Sequence, residues 1–137
     1  GMLATMGESM LVFAPHANSW RRFAAQSYAP VAATWGVNNR SVALRIPAGP
    51  AASRRIEHRP AGVDANPWLV GATVLAAVRH GLAGRIDPGP ETTGNGYDAE
   101  PRSQIPTDWA HAIRAAQGSE FLRGALGAPR CTAPSPP

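Results

Sequence analysis

Lysine is absent from this 137-residue chain: all 13 basic residues are arginine. That excludes a lysine-bearing phosphate loop, a Schiff-base lysine and a lysine general base. Cysteine is nearly absent. Cys131 stands alone, which rules out an intrachain disulfide and a cysteine-based zinc site. Aromatic residues make up only 7%, and no aromatic RNA-binding signature accompanies the arginines, so no nucleic-acid partner is expected. No apolar run approaches the roughly 18 residues that read as a membrane span, so no membrane partner is expected. No basic start with a short apolar core and small-residue cleavage site is seen, and the expected location is the cytoplasm.

What is present is a chain of one domain at most, rich in turns, with 14 Gly and 14 Pro. Its most informative stretch is Asn38-Asn39-Arg40-Ser41, then Arg45-Ile46-Pro47, then Arg54-Arg55-Ile56-Glu57-His58-Arg59. Charged groups on strands are costly to bury without partners, so this cluster is expected to face a charged ligand. The two-residue period of a strand puts Arg55, Glu57 and Arg59 on one face. Two guanidinium groups flanking a carboxylate suit a phosphate or a carboxylic acid, with a divalent cation on the glutamate. Arg45 pairing with Glu57 for purely structural reasons is the competing reading. Arg21 and Arg54 are expected at the surface, His58 in packing or at the surface facing away from Glu57, and Trp35 in the core, with nucleotide stacking its alternative.

Local signals predict the elements. Residues 3–14 read as a helix stopped by Pro15, and 15–30 as a loop. Residues 31–36 and 41–46 read as strands of an antiparallel hairpin turning at Asn38-Asn39, and 54–59 as a third strand. Asn66-Pro67 pairs a good N-cap with a favoured first helical residue. The helix it opens, 68–81, is apolar nearly all round and is expected to be buried. Residues 84–106 form a long loop containing Gly94-Asn95-Gly96, a length usually functional or poorly ordered. Thr107 or Asp108 starts a helix to about 116, Ser119 another to 126, and 127–137 reads as a disordered tail.

The blocks Asn18-Ser19-Trp20-Arg21-Arg22-Phe23, Ala29-Pro30-Val31, Asn39-Arg40-Ser41, Arg45-Ile46-Pro47, Arg54-Arg55-Ile56-Glu57-His58-Arg59 and Asp64-Ala65-Asn66-Pro67 together resemble the carboxy-terminal half of the glutamine synthetase catalytic domain. The resemblance covers roughly residues 1–126. It looks most like the branch that joins glutamate to amines, γ-glutamylpolyamine and γ-glutamylputrescine synthetases. It implies an α+β fold, antiparallel strands with packed helices, forming part of that domain. It also implies an ATP-dependent ligase, in which the γ-carboxylate of glutamate is phosphorylated and ammonia or a small amine displaces the phosphate.

By the same resemblance, Glu57 would be a ligand to Mg²⁺ or Mn²⁺. Arg22 and Arg59 would hold glutamate, and Arg40, Arg45 and Arg55 would contact ATP phosphates, Arg40 also stabilising the transferring group. These roles suit the chemistry, since phosphoryl transfer is catalysed largely by positioning and charge neutralisation and arginine binds phosphate and carboxylate bidentately. Tyr28 occupies the position before Ala29-Pro30 where ammonia-using members carry a glutamate, which points to a bulkier amine. The family forms ring homo-oligomers with sites between subunits. Its amino-terminal domain and most of its metal ligands have no counterpart in these 137 residues. The chain is therefore expected to be inactive alone, the alternative being a non-catalytic remnant or binding module that associates with a full-length paralogue.

Overall fold

The computed structural model describes residues 1–24, 26–98, 105–106 and 108–127. Its elements are α1 (Met6–Phe13), β1 (Trp35–Val37), β2 (Leu44–Ile46), β3 (Glu57–His58), α2 (Pro67–Ala83), α3 (Trp109–Gly118) and α4 (Glu120–Leu126). Short 3-10 turns occupy Ala17–Arg22 and Ala51–Ser53. The α+β class expected from the sequence is what forms. The expected tail, 127–137, lies outside the described residues beyond Gly127.

The core gathers on α1. Met6, Met10 and Phe13 are buried with Trp20, Leu44, Ile105 and Ala112 in one cluster, and α1 packs chiefly against α3. Capping chemistry sets the helix starts. Asn66 accepts hydrogen bonds from the backbone of Trp68 and Leu69 with Pro67 in the first turn, Asp108 accepts from His111, and Ser119 accepts from Leu122.

The sheet corrects the expected hairpin. β1 pairs with β2 in parallel, Trp35 opposite Leu44 and Val37 opposite Ile46, and only β2–β3 is antiparallel. The connection 38–43 does not make a two-residue turn. Asn38 takes a left-handed backbone (φ 51°), and the chain runs back until the amides of Ala43 and Leu44 donate to the carbonyl of Thr34. β2 therefore begins level with the start of β1. The strands are also shorter than the sequence pattern implied: 31–34, 41–43 and 54–56 lie outside the ladders.

α2 is the second correction. Its apolar residues are not buried all round: Trp68, Leu75 and Leu82 are 84%, 71% and 75% exposed, and only Thr73 and Ala77 are buried. Among the regular elements, the helix packs chiefly on α4 and α1. Burial depends on what lies opposite a face, which composition does not state. Trp35, expected in the core, is half-buried at its edge, with its indole N–H donating to the carbonyl of Gly89 (3.0 Å).

Candidate functional site: an arginine-flanked carboxylate

The β2–β3 register sets Arg45 directly opposite Glu57, so the two side chains meet as a cross-strand pair. Arg45 Nη1 lies 2.6 Å from Glu57 Oε2, and Arg55 Nη2 lies 2.9 Å from Oε1. Both carboxylate oxygens are thus held by guanidinium groups. The bond from Arg45 is the main reason the Glu57 carboxyl lies below its ordinary pKa; partial desolvation opposes it and the Arg55 bond adds to it. Arg45 also donates to Asn38 Oδ1 (3.3 Å), which accepts the backbone N–H of Ala48 as well (3.0 Å).

Arg59 follows β3 and turns onto the backbone. Its Nη1 donates to the carbonyls of Arg40 and Val42, and its Nη2 to that of Tyr28 (2.9 Å). Burial lowers its pKa most, Tyr97 and Glu57 raise it, and Arg45 and Arg40 lower it. That mutual influence gathers Arg40, Arg45, Glu57 and Arg59 into one electrostatic neighbourhood. Arg40 itself is exposed. Arg22 donates to the carbonyl of Pro60 and lies over the Phe23 ring (4.4 Å). Its Nε is buried without a hydrogen bond. Burial again lowers its pKa most, with Asp64 opposing and Arg59 adding, and Asp64 is itself fixed by the Ser19 hydroxyl.

The family model described as "Glutamine synthetase, catalytic domain" matches residues 1–133. The chain belongs to the glutamine synthetase family. Gamma-glutamylputrescine synthetase PuuA of Escherichia coli is 48% identical over 100 residues, covering 73% of this chain and 21% of that protein. Gamma-glutamylethanolamide synthetase of Streptomyces coelicolor is 38% identical over 127 residues, covering 93% and 27%. The solved GmaS/ADP complex superposes with a TM-score of 0.79 at 32% identity, covering 93% of this chain and 31% of GmaS. The chain thus spans between a fifth and a third of the length of these relatives.

Within this member of the glutamine synthetase family, Arg45, Arg55 and Glu57 are in direct contact, Arg40 and Arg59 adjoin them, and Arg22 joins through Arg59. Arg21 and Arg54 are exposed, as expected. His58 points away and packs edge-on against Phe13 (4.4 Å). The described residues do not complete a metal site: none of them forms a group of three or more His, Cys, Asp or Glu, and the oxygens of Glu57 are taken by arginines. An apolar cavity of about 660 Å³ lies elsewhere, lined by Trp35, Leu44, Ile46, Ile56, Val78 and Leu82 among others, with none of the site residues. Strand alternation puts Leu44 and Ile56 opposite in sense to Arg45 and Glu57.

Sequence reasoning missed the polar frame around the arginines. The Asn38-Asn39 pair, though part of the informative stretch, was given no role of its own beyond a turn, yet both side chains organise the site. Tyr97, whose hydroxyl donates to the carbonyl of Ala29 (3.1 Å), sat in a loop read as irregular. The Gly94-Asn95-Gly96 run inside a loop of that length was the available signal.

Proposed function

We propose that this chain is the arginine-bearing part of an ATP-dependent ligase that joins the γ-carboxylate of glutamate to an amine. The observation that carries the reading is the Arg45–Glu57–Arg55 arrangement beside Arg40 and Arg59, in a chain whose relatives include synthetases of γ-glutamylputrescine and γ-glutamylethanolamide. Arg40, Arg45 and Arg55 meet the phosphates of ATP, with Arg40 on the transferring group, and Arg22 and Arg59 hold glutamate. The γ-carboxylate oxygen attacks the terminal phosphorus and ADP leaves. The amine nitrogen then attacks the acyl carbon, inorganic phosphate leaves, and the nitrogen gives up a proton. The guanidinium groups neutralise the charge that develops on the phosphoryl oxygens.

Glu57, whose oxygens Arg45 and Arg55 hold, would supply one carboxylate to a divalent cation such as Mg²⁺ or Mn²⁺ once those guanidinium groups turn to phosphate, and a complete site needs ligands beyond the described residues. For that reason the 137 residues are expected to be inactive alone. In the alternative, the chain is a binding module that associates with a full-length paralogue of the ring-forming family. The test is ADP release from Mg-ATP and glutamate with ammonia or putrescine as acceptor, beside Glu57→Ala. No turnover is expected. Acceptor-dependent turnover that Glu57→Ala abolishes would overturn the insufficiency and assign the acceptor.

A further inference from the structure

The turn that carries Arg40 is fixed with unusual completeness, and Asn39 is the reason. Its Nδ2 donates to the carbonyls of Thr92 (2.9 Å) and Gly94 (2.8 Å). Its Oδ1 accepts from the Ser41 backbone N–H (3.0 Å) and the Ser41 hydroxyl (2.6 Å). Ser41 Oγ in turn accepts from the Gly96 N–H (2.7 Å). One amide side chain therefore uses both donors and both lone pairs, the full capacity of the group.

Through these bonds the segment 89–97 becomes a strap along β1. Thr92 N–H donates to the carbonyl of Trp35 (2.9 Å), and Val37 N–H donates to Glu91 Oε1 (2.8 Å). Two glycines permit the approach: a Cβ on Gly36 would lie 2.6 Å from the Thr92 carbonyl oxygen, and one on Gly96 2.7 Å from that of Ser41. From the other side, Arg59 grips the carbonyl of Arg40. The backbone on both sides of Arg40 is pinned while its side chain is exposed. A pre-set backbone lowers the ordering cost of binding by the side chain it carries.

We propose that Asn39 is a positioning residue for Arg40, tying its turn to the 92–96 strap so that the guanidinium meets a bound polyphosphate without reorganisation. The inference rests on the phosphate-contacting role assigned to Arg40 above.

The experiment uses the 137-residue chain, with inorganic tripolyphosphate titrated by calorimetry and hydrogen exchange followed at the amides of residues 41 and 96. The variants are Asn39→Ala, Gly96→Ala (which wedges the strap without touching Asn39), Arg40→Ala and Asn39→Ala combined with Arg40→Ala. Asn39→Ala and Gly96→Ala are expected to deprotect the amides and weaken tripolyphosphate about tenfold. Asn39→Ala should cost nothing further once Arg40 is removed, a non-additivity that a general loss of structure does not produce. Binding that depends on Arg40 yet is indifferent to Asn39→Ala overturns the inference alone, as does a full Asn39 effect in the Arg40→Ala background. No binding by the wild-type chain, or equal binding by wild type and Arg40→Ala, overturns the phosphate role of Arg40 and the inference with it.

Discussion

His58 should make this fold acid-sensitive by a calculable amount. Its ring packs against Phe13, its Nδ1 is buried with no hydrogen bond, and burial pushes its pKa down from 6.5 to about 4. A proton added there creates a buried cation and a donor with nothing to bond. Because the folded-state value lies below the unfolded one, the unfolded chain binds more protons between them. The stability is therefore complete above pH 6.5 and is lost as pH falls toward 4. Linkage gives a loss of about 2 kcal/mol between pH 8 and pH 5, approaching about 3 kcal/mol below pH 4. Urea unfolding of wild type and His58→Phe at pH 8, 6 and 5 isolates the effect, since other titrating groups are common to both chains. The gap between the two curves should shift by about 2 kcal/mol in favour of the variant at pH 5. His58→Leu serves if the larger ring does not fit. Parallel pH dependences in wild type and variant would refute the reasoning, since they require a His58 that titrates alike folded and unfolded.

Three further outcomes follow from the geometry. Glu57 occupies Arg45 and Arg55 and so competes with an incoming anion; Glu57→Gln should bind tripolyphosphate, without divalent cation, roughly two- to tenfold more tightly. Calorimetry decides this, with Glu120→Gln as the equal-charge control, and unchanged or weaker binding by Glu57→Gln removes the competition. Met10→Ala, at a fully buried position of α1, should cost about 2–5 kcal/mol, read from the denaturant midpoint. Asn66→Ala should cost about 1 kcal/mol and speed hydrogen exchange at Trp68 and Leu69, whose amides Asn66 caps. Unaltered exchange there would show that the cap contributes nothing.

The legibility of the sequence varied with the range of the interactions involved. Asn66-Pro67, Asp108 and Ser119 announce helix starts because an N-cap satisfies backbone donors only two or three residues away. The Arg55–Glu57 contact was equally visible, because same-face residues on an extended segment are neighbours by geometry. The Arg45–Glu57 pair was suspected, but its register depends on how residues 47–56 return the chain. The parallel pairing of β1 and β2 was misread because it rests on the carbonyl of Thr34 capturing Ala43 and Leu44, a choice that Asn38-Asn39 alone does not encode.

By itself the sequence determined the family blocks, the helix starts and the concentration of arginines around one carboxylate, all carried by residue identity and short spacing. Only the tertiary structure decided that Arg59 would bond to the carbonyls of Tyr28, Arg40 and Val42, that Asn39 would bind a strap more than fifty residues distant, and that α2 would leave apolar side chains exposed. The physical reason is common to these cases. A side chain's donors, acceptors and apolar surface are fixed by its chemistry, but what satisfies or covers them is whatever the folded chain brings opposite.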